Sequence, residues 1–498
     1  MAFSLRPSLT LRVTKTSNKS STRAIPRRIK SMTHLPRRHM LSTMGTGFGY
    51  MALSGLCTEE ARAASTSPLL PKQPQFEAKA KRVIFLCMRG GPSQTDTFDY
   101  KPRDRKVVTT NITSKGKGKY NGKGPAGSVV PFSQHGESGI HIADSMPNIA
   151  KHADDLCLIN SMYTDLPNHP QSFLLLHTGN FILPRPSVGS WVLYGLGTEN
   201  QDLPGFISIN APTRVGGAQN YGSSFLPAIY QGTAIGHIGA SIPNAKISNV
   251  SSKHLSPAQQ RRQIDLAQAM NKKLLERNRV DTKLEGVIDS LELGFRMQSA
   301  VPDVMDINKE SQETRDRYNV GNTKKVGRCL DDDFGRQCLT ARRLAEAGVR
   351  YIEVCHSNWD QHGNHANDVT ANGNAIDKPI AALIQDLKDR DMLKDTLIVW
   401  GGEFGRTPMS DGSKKGSGHN AAGFTFWMAG GGVQGGQRYG LTDPTGRTSI
   451  ENKVHIHDLH ATMLHLLGLD HKKLTYRYGG RDFRLTNVYG DVVHDIIA

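Results

Sequence analysis

Five separate stretches of this 498-residue chain place carboxylates and imidazoles just after apolar runs. Ser93, Asp96 and Asp99 follow the run 83–88, and Asn168 and His169 come soon after 156–159. His356, Asp360, His362 and His365 follow 349–355, Glu403 follows 396–400, and His419 lies between that run and 424–428. Mixed Asp, Glu and His sets hold zinc, manganese and similar divalent ions. Two such ions can clamp the attacking and leaving oxygens of a phosphoryl-type transfer. Taken singly, these residues have ordinary uses. Asp99, before Tyr100-Lys101-Pro102, suits a turn cap, and Glu403 suits a pair with Arg406. The signal is the repetition of acid or imidazole after run after run. The six cysteines form no CxxC pair, which excludes a thiolate knuckle or redox motif. Cys87 and Cys355 sit in apolar runs as small core residues, and Cys329 and Cys338 are a possible pair.

These residues need a frame that brings distant stretches together. The run 83–88 is continuously apolar and ends in Gly90-Gly91-Pro92, the pattern of a buried parallel strand and a tight loop. A helix is expected over 146–153, a strand over 156–159, and an apolar helical turn over 172–177 closed by Gly179. Ser256 before Pro257 is an N-cap with proline at the first helical position. The Gln-, Lys-, Glu- and Leu-rich spacing beyond it marks 256–320 as a helical insertion or lid. Helices are further expected over 339–347, 376–390 and 459–467, and strands over 349–355, 396–400 and 424–428. The alternation predicts an α/β fold, a three-layer α/β/α sandwich with a mainly parallel sheet. In such sheets ligands bind beyond the carboxyl ends of the strands, where the acids and imidazoles fall.

The formal net charge is +17. Residues 1–40 hold ten Lys/Arg and no acid, and 101–123 hold eight basic residues against Asp104, so the rest of the chain is close to neutral. No aromatic stripe interleaves the basic residues, so no nucleic-acid partner is expected. The Gly/Lys-rich stretch 101–124 reads as a solvated loop, or as a rim that attracts an anionic substrate. Pro36-Arg37-Arg38-His39-Met40-Leu41 precedes a weakly apolar, Gly-rich run over 42–56, and Ala61-Arg62-Ala63 offers a cleavage site. Residues 1–63 are therefore expected to be a basic extension and export signal of twin-arginine type. A Pro/Lys linker over 64–80 and the main domain over 81–498 follow. The apolar run is too short and Gly-rich to span a membrane. The expected location is periplasmic or extracellular, with no stable span after signal removal. The other reading of the first residues is a disordered basic tail on a cytoplasmic protein.

Four motifs are longer and more specific. They are Gly90-Gly91-Pro92-Ser93-Gln94-Thr95-Asp96-Thr97-Phe98-Asp99, Trp359-Asp360-Gln361-His362-Gly363-Asn364, Gly401-Gly402-Glu403-Phe404-Gly405-Arg406-Thr407-Pro408 and His457-Asp458-Leu459-His460-Ala461-Thr462. Over about residues 68–498, the chain resembles the bacterial exported family known as domain of unknown function 1501. That family is placed in the alkaline phosphatase-like superfamily and is often labelled sulfatase-like. The resemblance implies an α/β/α sandwich with two divalent ions, zinc, manganese or calcium. Residues 395–405 are similar to the sulfatase segment ending in Ser-Asp-His-Gly. Glu403 then stands for the metal-binding Asp, and Phe404 replaces the His. Asp360 and His362 resemble the Asp/His ligands of the other metal, with His365 or His356 as substitutes. His419 resembles the late His ligand, and Asp96 the ligand after the first strand. Aligned on Thr178-Gly179, His169 takes the nucleophile position of the sulfatase Cys/Ser-x-Pro-x-Arg motif, and Phe173 that of its Arg. His169 is then a covalent nucleophile, a metal ligand or an acid/base group, with Asn168 beside it at the reacting centre. Ser172 and Thr164 are the other candidate nucleophiles, and a metal-activated hydroxide is the route without one.

The resemblance thus implies an exported metal-dependent hydrolase of phosphate or sulfate esters that lacks the formylglycine motif. Its substrate would be an anionic small molecule or polysaccharide ester. Asp96, Asp360, His362, Glu403 and His419 would hold metal, and Arg406 and the loop 101–124 would hold the anionic group. The departures from the sulfatase motifs suit a second reading, a non-catalytic binding or assembly protein that keeps the fold. A transferase or mutase of the same superfamily is the third.

Overall fold

The first apolar run forms strand β1 (Arg82–Met88), whose last six residues are all buried. Large and branched apolar side chains on both of its faces suit a strand covered on both sides. The structure, a computed structural model, describes residues 67–102, 127–237, 254–278, 282–322, 325–326, 329–410 and 416–498. The expected export segment 1–63 and most of the basic loop 101–124 lie outside the described residues. Around β1, the strands β2 (Leu156–Tyr163), β3 (Phe206–Ala211), β4 (Thr233–His237), β5 (Tyr351–His356), β6 (Thr396–Gly401), β7 (Phe424–Ala429), β8 (Gln437–Tyr439) and β9 (Val454–His455) complete a nine-stranded sheet. The order is β8-β2-β7-β6-β1-β5-β3-β4, with β9 also paired to β2.

Side-chain alternation along β5 sorts the helices onto two faces. Glu353 reaches His177 of α1 (His169–Thr178). Tyr351, on the same face, meets Phe206 edge-on, and Phe206 lies under Gly189 of α2 (Val188–Leu196). His356 points the other way, against Phe334 of α5 (Asp331–Glu346), and α6 (His365–Asp389) lies against α5. The sheet is therefore sandwiched between helical layers, as the sequence pattern predicts. The stretch expected to be helical beyond Ser256 forms α3 (Pro257–Asn278) and α4 (Thr282–Met305), and the Ser256 hydroxyl accepts the Gln259 amide at 3.3 Å. The last helix, α7 (Ile456–Leu466), follows β9. Among the described residues no helix is long and apolar enough to cross a membrane.

Three features depart from the sequence expectations. β7 runs antiparallel to both β6 and β2. The chain between β6 and β7 makes a hairpin (Gly405–Ser410 and Ser417–Asn420) instead of the helical crossover a parallel neighbour needs. The Pro/Lys segment expected as a linker is laid along the body. Lys79 and Ala80 donate their amides to Leu466 O, Gln75 donates to Gly468 O, and Leu69 is buried. Cys338 is a buried free thiol.

The outer helical layer is tied by a buried charge network. Asp386 of α6, with no exposed surface, faces Arg342 Nε at 3.3 Å, Arg317 Nη2 at 3.2 Å and the Tyr318 hydroxyl at 3.2 Å. Arg342 also meets Glu310 at 2.7 Å. Removing one member of such a network leaves uncompensated buried charge. Asp386→Ala is therefore expected to cost about 3 kcal/mol, read as a lowered urea midpoint at unchanged slope. A loss below about 1 kcal/mol would show the network to be solvated in effect.

Candidate metal centre

The carboxyl ends of β1, β5 and β6 lie side by side, with Cys87 in register with both Cys355 and Gly401. The loops leaving them meet at one point, and the fit is close. Gly90 has φ +116°, and a Cβ there would stand 2.5 Å from the Asp360 amide nitrogen. Asp360 and His362 come from the loop after β5. His419 comes from the hairpin between β6 and β7, where it is the register partner of Arg406. His169 is the first residue of α1, whose N-cap Asn168 accepts the Gln171 amide at 3.2 Å.

Four donor atoms from these segments gather within 4.8 Å of one another, from His169, Asp360, His362 and His419. Asp360 Oδ1 lies 3.1 Å from His169 Nε2, 3.0 Å from His362 Nε2 and 3.5 Å from His419 Nε2. His362 Nε2 and His419 Nε2 are 3.1 Å apart. The outer nitrogens of two rings are committed elsewhere. His169 Nδ1 meets Glu403 Oε1 at 2.6 Å, and His419 Nδ1 donates to the Pro167 carbonyl at 2.6 Å. An imidazole whose Nδ1 proton is held by a carboxylate or carbonyl presents Nε2 to a metal, the usual outer-partner arrangement of metal-binding histidines. The buried Phe404 ring fixes both ring planes, with its centre 4.8 Å from His169 and 4.6 Å from His419. The donor set therefore fits one divalent ion. Asp360 and His362 are both 47% exposed and leave the outer side open to a ligand.

Electrostatics holds the cluster in place. Burial opposes the charge on His169, but the hydrogen bonds to Asp360 and Glu403 outweigh it and push the imidazole up to about 9. Burial likewise opposes the charge on Asp360. The bonds from His169, His419 and Arg406 prevail and keep the carboxyl well below the usual carboxylate range.

The other residues expected at the site are placed apart from the four donors. Glu403 is fully buried behind His169, and both of its oxygens accept the Gly90 amide, at 3.0 and 3.1 Å. It holds the His169 ring from behind and does not join the cluster. Asp96 is folded back by a short 3-10 turn onto Ser93 Oγ (2.6 Å), the Val129 amide (2.7 Å) and His365 Nε2 (2.8 Å). Its lone pairs and His365 are thereby used together. His356 is half-buried, accepts the Trp359 indole N–H at 3.0 Å, and is pushed down to about 4 by desolvation. Arg406, expected to bind an anion, has no exposed surface. It donates to the carbonyls of Gly90, Gly91 and Ser417 and pairs with Asp360 at 2.5 Å. Asn168 caps a helix, and the Ser172 hydroxyl donates to the Leu166 carbonyl. Of the three roles open to His169 from sequence, ligand is the one its position fits. Sequence reasoning missed the support given by the Pro167 carbonyl and Phe404, neither of which carries a chemical signature.

Residues 80–497 match the sequence family described as "Protein of unknown function (DUF1501)", and the chain belongs to that family. No curated protein matches it. Among solved structures it is similar to the lipoteichoic acid synthase LtaP from Listeria monocytogenes, with 9% identity, 84% of this chain and 78% of that chain covered, and a TM-score of 0.38. It is also similar to a protein in the alkaline phosphatase superfamily from Vibrio parahaemolyticus, with 11% identity, 82% and 71% covered, and a TM-score of 0.37. A third is the PsFucS1 sulfatase from Pseudoalteromonas sp., with 14% identity, 84% and 71% covered, and a TM-score of 0.32.

The raised His169 sets a pH dependence. Its second proton stabilises the metal-free fold, fully below the unfolded value near 6.5, and that contribution is lost as pH rises through about 9. An entering ion must expel that proton. Zinc affinity is therefore expected to rise by about tenfold per pH unit from His169 alone up to about pH 9, then level off. Calorimetry in buffers of different ionisation enthalpy measures the released proton. No release at pH 7.5 would rule out His169 as a ligand.

Proposed function

We propose that this protein is a metal-dependent hydrolase of phosphate or sulfate esters, with one divalent ion held by His169, Asp360, His362 and His419. The observation that carries this is the convergence of three imidazole nitrogens and one carboxylate oxygen, with outer partners fixing two of the rings. Three nitrogens and one oxygen suit zinc or a similar borderline ion better than calcium, which takes six to eight oxygens. A bound ion of this kind supplies Lewis acidity to an ester oxygen and a nucleophile at neutral pH.

The chain's own residues do the positioning. Glu403 holds the Nδ1 proton of His169, Pro167 O holds that of His419, and Arg406 pairs with Asp360 from beneath. With both nitrogens of His169 so engaged, the ring has no free lone pair to attack an ester. The exposed edges of Asp360 and His362 give an anionic ester its approach. We also propose that the protein works outside the cytoplasm, since the basic, apolar and small-residue order of residues 1–63 is that of an export signal. Cell fractionation with N-terminal sequencing of the exported chain tests this, and an intact N-terminus in the cytoplasmic fraction would refute it.

One observation favours a second reading. Four protein donors are the number that closes a structural zinc site, whereas catalytic sites usually keep three. The purified protein is expected to carry about one zinc per chain and to turn over aryl phosphates, phosphodiesters or aryl sulfates. His419→Ala should lose both the metal and the turnover. Glu403→Gln should weaken zinc binding by about tenfold to a hundredfold. Tight zinc with no turnover on any of these esters selects the structural site, and absence of both metal and turnover rejects the proposal.

A further inference from the structure

Helix α1 carries an imidazole at each end, and each meets a carboxylate from the sheet. His169 in the first turn meets Glu403 beyond β6, and His177 in the last turn meets Glu353 inside β5. The second contact is sealed in the core. His177, Glu353 and the neighbouring thiols Cys87 and Cys355 are all buried. His177 Nδ1 donates to the Phe173 carbonyl at 2.8 Å, and Nε2 lies 2.5 Å from Glu353 Oε1. A carbonyl only accepts, so Nδ1 carries a proton, and an ionised carboxylate at Nε2 requires a second. Glu353 takes two more donors, Ser208 Oγ at 2.8 Å and Cys355 Sγ at 3.3 Å. The Phe173 ring stacks on the imidazole at 4.3 Å. Burial opposes charge on both groups. Their mutual attraction prevails, raising His177 far above its ordinary value and lowering Glu353. Cys87, His177 and Glu353 are near enough to share an ion, but the short Nε2–Oε1 contact is already bridged by a proton and both His177 nitrogens have protein partners.

We propose that His177 and Glu353 are positioning residues for the metal centre, locking the last turn of α1 to β5 so that His169 stands in register with Asp360 and His362. This rests on the metal-hydrolase reading above. β5 continues from Glu353 through His356 into the loop that bears Asp360 and His362. The buried pair therefore joins the two ligand-bearing elements by a route outside the site. A hydrogen-bonded helix is stiff along its axis, so an anchor at its last turn sets the rotation and height of its first. His460 of α7 donates to the Leu176 carbonyl in the same turn at 2.8 Å, and the Glu353 contact ties that turn to β5, the strand that leads to Asp360 and His362.

The test compares the full wild-type chain with Glu353→Gln and with the double variant His177→Leu/Glu353→Met. The double variant replaces a buried ion pair by an apolar pair and leaves no lone charge, so it keeps its melting temperature. Zinc affinity is read by competition with a chromophoric chelator, and ligand geometry by the visible spectrum of the cobalt(II) form. Both variants are expected to bind zinc about tenfold to a hundredfold more weakly, with an altered cobalt spectrum. Zinc affinity within about twofold of wild type, with an unchanged spectrum, overturns the proposal, because a pair that only fills the core leaves the donor geometry unmoved. A wild-type chain that takes up a second cobalt ion with a thiolate charge-transfer band, lost in Cys87→Ser, also overturns it. A wild-type chain that binds no zinc rejects the metal-hydrolase reading itself, and the positioning role with it.

Discussion

The site depends on the buried charge of Arg406. Its guanidinium has no exposed surface, so its donors must be met inside the protein. The acceptors come from three places with no local sequence in common. They are the Gly90 and Gly91 carbonyls beyond β1, Asp360 beyond β5, and the Ser417 carbonyl on the hairpin. Satisfying one cation therefore draws three loops to a common point. The same demand accounts for the glycine pair. A Cβ at Gly91 would stand 2.8 Å from the Phe404 ring, so the loops can share the guanidinium only where side chains are absent. Asp360 is held in position by this contact, His169, His419 and Arg406 together keep its carboxyl ionised, and three imidazoles gather around one of its oxygens.

Behind two of the four donors stands a more deeply buried partner. Glu403 lies behind His169 and Arg406 behind Asp360, while the carbonyl of the exposed Pro167 holds His419 from the surface side. Polarity is thus graded from a sealed interior of fixed charges to a half-open rim at Asp360 and His362. Such grading holds the donor atoms in place without an ion, which would lower the ordering cost of binding one. It also separates the two demands on the site, since rigidity comes from below and access from above.

Much of the frame was legible in the sequence. The strands that carry the site are runs of apolar residues cut off by glycine or polar residues, and burial on both faces requires that pattern. Asp360, His362 and His419 were legible as candidate donors because each lies just past such a run, or between two of them, and the structure brings them together with His169. The depth of each charge was not legible. A charged residue after a strand can face solvent or fold back beneath the loops, and backbone turns decide which. The 3-10 turn at Gln94–Asp96 sends Asp96 inward, and the loop after β6 buries both Glu403 and Arg406. The antiparallel course of β7 followed from the hairpin Gly405–Ser410 and Ser417–Asn420, whose strands contain no apolar run to announce them. One signal was present and passed over: Glu353 is an acid inside the apolar strand β5, and a charge in that position needs a buried partner.

The donors are supplied by residue 169, by residues 360 and 362, and by residue 419, stretches that lie far apart along the chain. An ion bridging them would close two long loops at once, and closure entropy grows only with the logarithm of loop length. The unfolded chain offers no such assembled set. Occupancy would therefore deepen the native basin with the logarithm of ion activity over the dissociation constant. The metal would then be a thermodynamic clasp as well as a reagent, and the ion content of the surroundings would help set how firmly the chain stays folded.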